Sequence, residues 1–252
     1  MSPMNTNAQG LLELRLTSHD RFGQRERDLL SGLSWRIEDL PARRIFIHEG
    51  DRPAQSCLIV SGAVVRSQYT AEGQRQILSV HIPGDMPDLQ SLHIGRMDHD
   101  LETVSAARVA FVPHGELHRL CAASTHLNAA FWRESLIDAA LHRAAIFRNA
   151  QLDADARLAH FLCEMQLRHS AVGLVDADGF DFPLSQELIG EVLGLTIVSI
   201  NRASQTLRAR DLIRMQKGHI QVLDWDGLVR YAQFDSSFLH LRLGDEVLAA
   251  AS

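Results

Sequence analysis

The sequence predicts an α+β chain in two parts, and three observations carry that reading. Short β-prone runs separated by glycines fill residues 43–112. Residues 126–148 contain neither Gly nor Pro and are patterned as one long helix. A two-helix motif followed by a hairpin lies in the last third. The expected division is residues 1–148 and 149–252, and 252 residues are enough to bury a core in each.

Residues 1–18 read as a loosely held lead-in with helical potential at 11–16. Residues 24–40 read as a short helix carrying Leu29, Leu30, Leu33 and Ile37. Strands are then expected at 44–48, 56–61, 63–69, 74–81 and 103–112, punctuated by Gly50, Gly62, Gly73 and Gly84. This roughly ten-residue spacing is that of an all-β sandwich or roll. After Pro113 the chain turns helical, first at 116–123 and then over 126–148. On the wheel of the long helix, Leu127, Ala130, Ile137, Leu141, Ala144 and Ala145 share one face, and Trp132, Leu136, Ala140 and Phe147 another. A helix apolar on two sides must be covered on both. One side packs on its own domain and the other meets a partner helix, or both are covered within the chain. The partner face is placed on Leu127, Ala130, Ile137, Leu141, Ala144 and Ala145. Residues 154–169 form an amphipathic helix, 172–181 a Gly- and Asp-rich loop, and 212–223 a hairpin around Lys217-Gly218-His219. No role is assigned to the tail beyond Trp225.

Composition narrows the class. An apolar content of 46% and a charged content of 22% place the chain among globular proteins, and no apolar run approaches the ~20 residues of a membrane span. The first residues lack a basic start followed by an apolar core, so no leader and a cytoplasmic location are expected. Cys57, Cys121 and Cys163 form no CxxC pair and read as reduced thiols. No Gly-x-Ser-x-Gly, P-loop, dinucleotide fingerprint or His-x-His pair is present, so no enzyme is expected.

Residues 183–207, PLSQELIGEVLGLTIVSINRASQTL, carry the chemistry. They read as two short helices joined at Gly194-Leu195. In the second helix Ile200, Ala203 and Leu207 fall on one side, while Ile197, Val198, Asn201, Arg202, Gln205 and Arg208 fall opposite. A helix that buries one side and offers Asn, Arg and Gln on the other suits the major groove of DNA. The net charge of −6 opposes nucleic acid, but local charge decides. Arg202, Arg208, Arg210, Arg214 and Lys217 stand against Asp211 alone. Base contacts are expected from Ile197, Val198, Asn201 and Arg202. Phosphate contacts are expected from Ser185, Thr196, Ser199 and Arg208. Ile197 and Val198 either face thymine methyls or pack on the first helix.

In this order of parts the chain resembles the Crp/Fnr family of bacterial transcription regulators, over roughly residues 25–230. The resemblance is strongest in LSQELIGEVLGLTIVSINRASQTLRARDLI, with Gly190, Gly194 and Arg202 in place. It implies a cyclic-nucleotide-binding-like jelly roll with a long dimerisation helix and a C-terminal winged helix-turn-helix. It also implies a homodimer reading an inverted repeat in double-stranded DNA, with RNA polymerase as a further partner, and control through a hinge at 147–150. Cyclic-AMP receptor proteins read bases with Arg, Glu and Arg. The matching positions here are Ile197, Val198 and Arg202, so only the last is kept. Their ligand motif, Gly-Glu followed by Arg-Ser or Arg-Thr, is replaced by Gly84-Asp85-Met86 and Met97-Asp98-His99-Asp100. Weak or no cyclic-nucleotide binding is therefore expected. The four cysteines of an Fnr iron–sulfur cluster are not available from three.

The effector cassette is placed at Asp85, Asp88, His93 and His99. Their spacing matches no ligand motif, so an unidentified small molecule is expected rather than a metal or haem. Two alternatives stand beside the main reading. One is a haem- or metal-dependent sensor. The other is a scaffold whose helix-turn-helix contacts protein.

Overall fold

A computed structural model describes residues 7–216 and 218–242. Helix α1 (Ala8–Thr17) starts at Asn7, whose side chain accepts from the Gly10 N–H, and buries Leu11, Leu12 and Leu16. Helix α2 spans Gln24–Ser31 and ends at Gly32. The helix expected over 24–40 therefore stops early. Residues 36–40 form strand β1 (Arg36–Leu40), paired antiparallel with residues 107–111. Ile37, read as a helix core position, is exposed on that strand.

The roll follows as β2 (Ile45–Ile47), β3 (Gln55–Ser61), β4 (Val64–Tyr69), β5 (Arg75–His81), β6 (Asp100–Thr103) and β7 (Ala107–Pro113). One sheet has the order β1-β7-β3 and the other β2-β6-β4-β5. The single strand expected over 103–112 is thus two strands in different sheets. The break begins at Thr103, whose hydroxyl donates to the Pro41 carbonyl and accepts from the Arg44 N–H. One core gathers Ile47, Cys57, Ile59, Val64, Leu101 and Val109. A second is formed by α1, α2 and the helices that follow the roll, including Leu12, Leu117, Leu127, Ala130 and Phe131.

Those helices are α3 (His114–Ala123) and α4 (Thr125–Gln151). Then come α5 (Ala154–Ala171), β8 (Phe180–Asp181), α6 (Gln186–Leu193), α7 (Ile197–Ala209), β9 (Ile213–Gln216), β10 (His219–Val222) and α8 (Trp225–Ala232). Strands β8, β10 and β9 form a small antiparallel sheet in that order. The chain divides into two units, Met1–Leu136 and Ile137–Ser252, so the division falls inside α4 and not at 148/149. The reason lies in Arg148. Its guanidinium is buried and bonds the Glu164 carboxylate at 2.7 Å, which ties the end of α4 to α5. Residues 147–150, expected as a hinge, are regular helix.

Helix α5 is buried over most of its circumference, with Leu158, Phe161, Leu162, Cys163 and Met165 all inside. The tail has a packing role that its sequence did not reveal. Helix α8 and the 3-10 turn Ser236–Leu239 lie on α5, and the rings of Phe234 and Phe238 flank His160 at 4.9 and 5.9 Å. Residues 243–252 of that tail lie outside the described residues.

Candidate nucleic-acid interface

Helix α6 starts at Ser185, whose side chain accepts from the Leu188 N–H, and ends at Gly194 in the left-handed region (φ 63°). Helix α7 starts two residues later at Thr196, whose hydroxyl oxygen accepts from the Ser199 N–H at 3.2 Å. The two helices approach closely because Gly190 has no side chain. A Cβ there would lie 2.6 Å from the Leu195 carbonyl oxygen. The last carbonyls of α6 are braced from outside the motif. Asn149 Nδ2 donates to the Val192 oxygen, and Arg157 Nη1 to the Leu193 oxygen. Neither bracing residue had a signal in the sequence, since both act through side-chain reach across the unit.

On α7, Ile200, Ala203, Ser204 and Leu207 are buried, which anchors the helix. Ile197 is 50% exposed and Val198 73% exposed, so neither packs on α6. Arg202, Gln205 and Arg208 are exposed, while Asn201 and Ser199 are half-buried. The outward face is therefore apolar at its N-terminal turn and cationic beyond. Thr196 and Ser199 hydroxyls lie 3.0 Å apart at the helix start. Ser185 spends one oxygen lone pair on capping and keeps its proton to donate, while of the Thr196 and Ser199 hydroxyls one donates to the other. Of the other expected cations, Arg210 lies over the Tyr231 ring at 5.0 Å and Arg214 bonds Gln221 at 2.9 Å. Lys217 lies outside the described residues.

The partner face expected on α4 is in part taken up by the chain itself. Leu127 and Ala130 belong to the core of the first unit, and Ile137 is buried; Leu141, Ala144 and Ala145 are half-buried. The open side carries Trp132, Leu136, Ala139, Arg143, Ile146 and Ala150, all exposed and spaced four, three, four, three and four residues apart. That is the spacing of a coiled-coil seam. Trp132, Leu136 and Ile146 are 62, 51 and 69% exposed, far more than such side chains are left to water without cause.

Three residues of the expected effector cassette are buried and bonded within the chain. Asp85 is buried, accepts from the Ile82 N–H and lies 3.7 Å from the Arg15 guanidinium. Asp88 is buried and accepts from the Cys57 N–H at 2.8 Å. Burial lifts its carboxyl to about 7. His99 is buried and bonds Asp98 at 2.7 Å. Only His93 is exposed. The polar groups of this segment thus hold the segment itself. Arg66, a buried cation beside it, donates to the Pro87 carbonyl. Among the described residues no group of three or more His, Cys, Asp and Glu is arranged to hold a metal ion. No described helix is long and apolar enough to cross a membrane.

Comparison with known proteins places these parts. The Crp-like helix-turn-helix domain family matches residues 156–231, and the cyclic nucleotide-binding domain family matches residues 37–124. The chain is 26% identical over 210 residues to an anaerobic regulatory protein of Haemophilus influenzae, covering 82% of this chain and 80% of that one. It is 23% identical over 211 residues to the transcriptional activator protein FnrA of Stutzerimonas stutzeri, covering 84% and 86%. Its fold is similar to that of FixK2 from Bradyrhizobium japonicum, with a TM-score of 0.70 at 22% identity over 79% of this chain and 98% of the other.

Proposed function

The chain belongs to the Crp/Fnr family of DNA-binding transcription regulators, and on that premise we propose that two copies joined along α4 present α7 to successive major grooves of an inverted repeat. The observation that carries this is the outward face of α7, where Ile197, Val198 and Arg202 stand exposed on a helix anchored by its opposite side. Arg202 reads guanine, Asn201 adenine, and the Ile197 and Val198 methyls meet thymine methyls. Ser185, Thr196, Ser199 and Arg208 hold phosphates. The α4 seam from Trp132 to Ala150 sets the two α7 helices about one DNA turn apart, ~34 Å. The protein works in the cytoplasm and catalyses no reaction. Once on DNA it contacts RNA polymerase.

Its effector is a small molecule other than a cyclic nucleotide. No Arg-Ser or Arg-Thr pair follows Gly84-Asp85, and the nearby buried cation Arg66 is held by a backbone carbonyl. Neither haem nor metal is required.

The test is fluorescence anisotropy on random-sequence duplex across a salt series. Two phosphates neutralised per copy give a log–log slope of about −4. Binding that does not respond to salt, or none, would favour the scaffold reading and overturn this one.

A further inference from the structure

We propose that Asn149 and Arg157 are positioning residues that fix the half-site spacing this regulator accepts, by clamping the turn into α7 to the end of α4. The clamp crosses the break between α4 and α5. Helix α4 ends at Gln151 and α5 begins at Ala154. Asp153 between them is extended (ψ 171°) and caps α5 by accepting from the Ala156 N–H. Such a short break between helices is where a chain bends most easily.

Arg157 spans the break. Its Nη2 donates to the Leu152 carbonyl at 2.9 Å and its Nη1 to the Leu193 carbonyl at 3.0 Å. One guanidinium thus joins the C-terminal end of α4 to that of α6, and both ends carry the negative pole of a helix dipole. Asn149, on the last turn of α4, donates from Nδ2 to the Val192 carbonyl at 3.3 Å. The last two carbonyls of α6 are therefore held from either side of the break. Only Gly194 and Leu195 separate them from Thr196, the cap of α7. A swing of the two-helix motif about residues 147–153 would have to break these bonds, and the buried Arg148–Glu164 pair with them.

The clamp serves direction more than stability. Asn149 Oδ1 and Arg157 Nε are buried without a hydrogen-bond partner among the described residues. Each such atom costs folding free energy. Apolar side chains of similar size would fill the space without that cost, but they would not hold two carbonyls at fixed angles. In a dimer joined along α4, the direction of α7 from the end of α4 sets where the second α7 meets DNA. One base pair added between half-sites displaces the second by ~3.4 Å and turns it by ~35°. A clamped helix cannot follow that change. A released one can, at the cost of the preorganisation the clamp supplied. The inference rests on the proposed dimeric reading of DNA.

The test uses the full chain and the variants Arg157→Met and Asn149→Ala. Each binds duplexes whose half-sites stand at the selected spacing, one base pair closer and one base pair wider, and a duplex with a single half-site. The unaltered chain should favour one spacing at least about tenfold. Each variant should lose about tenfold in affinity at that spacing, bind the three spacings within about threefold of one another, and keep its single half-site affinity within about twofold. Asn149→Ala places a strong helix former on α4, so it carries the test if Arg157→Met does not fold. A merely structural defect would weaken all four duplexes alike. That result, or an unchanged spacing preference in both variants, overturns the proposal. Hydrogen exchange without DNA tests the clamp by itself. Amides of residues 190–200 should exchange about tenfold faster in each variant, while those of residues 158–167 keep their rates. Unchanged rates at 190–200 overturn the proposal whether or not a duplex is bound. Failure of the regulator reading registers separately, as an unaltered chain that binds no inverted repeat while the exchange still responds to the variants.

Discussion

Helix α7 and segment 84–100 are both polar stretches, yet the first turns its cationic side chains to solvent and the second buries Asp85, Asp88, Ser91 and His99. On α7 a regular 100° step separates Ile200, Ala203 and Leu207 from Arg202 and Gln205, so residue type and exposure agree. In 84–100 there is no long regular element. Asp85, Asp88 and His99 are consumed by Ile82, Cys57 and Asp98 in holding an irregular chain in place. A polar residue on a helix declares its direction. One in a loop does not, and scaffold duty is what buried loop carboxylates do here.

The contrast can be broken at its structural supports. The largest effect is expected on the α4 seam. Ile146→Glu puts a charge at the most exposed large apolar position of the proposed interface and should reduce dimerisation and specific DNA affinity at least about a hundredfold. Leu141→Glu, at a half-buried position off the seam, should affect dimerisation less. Light scattering and anisotropy on both variants decide between the two faces. Equal effects would return the partner face to Leu141.

Next in size is Gly190→Ala. Its Cβ would lie 2.6 Å from the Leu195 carbonyl oxygen, so α6 and α7 must move apart. A loss of about 1–3 kcal/mol in denaturant unfolding is expected, together with weaker DNA binding. Unchanged stability would mean that the close approach is not needed.

The two units should also respond oppositely to pH. The Asp88 carboxyl is lifted from 3.8 to about 7 by burial, so the fold favours its neutral form. Its contribution is full below about pH 4 and is lost as pH rises through about 7. His160 is lowered from 6.5 to about 4, first by burial and then by the Arg148 charge, so the fold favours neutral imidazole. Its contribution is present above about pH 6.5 and is lost as pH falls through about 4. Asp88→Asn should flatten the first dependence and His160→Gln the second, each by on the order of 3–4 kcal/mol across its window. Melting curves from pH 4 to 8 test this, and slopes unchanged in both variants would refute it.

What the sequence made legible follows the same division. Periodic elements were readable: the helix-turn-helix, the long helix and most strands of the roll. Strand β1 was missed because Ile37 continues the apolar spacing of α2 while lying exposed on a strand. Strands β6 and β7 were merged because both are β-prone and the intervening Ser105 and Ala106 carry no glycine or proline. On α4 the two apolar sides were both visible. Which one the core of the first unit would take depends on where Leu12, Leu117 and their neighbours lie, and that is tertiary information. The bracing of α6 by Asn149 and Arg157 is likewise long-range.

The most direct trial of the account is a binding-site selection from random duplexes, run with the unaltered chain and with Arg202→Ala. The unaltered chain should select an inverted repeat. The variant should lose preference at one base position in each half-site, at a cost of about 1–3 kcal/mol. Selection of the same sequence with the same stringency by both proteins would contradict base reading by the outward face of α7.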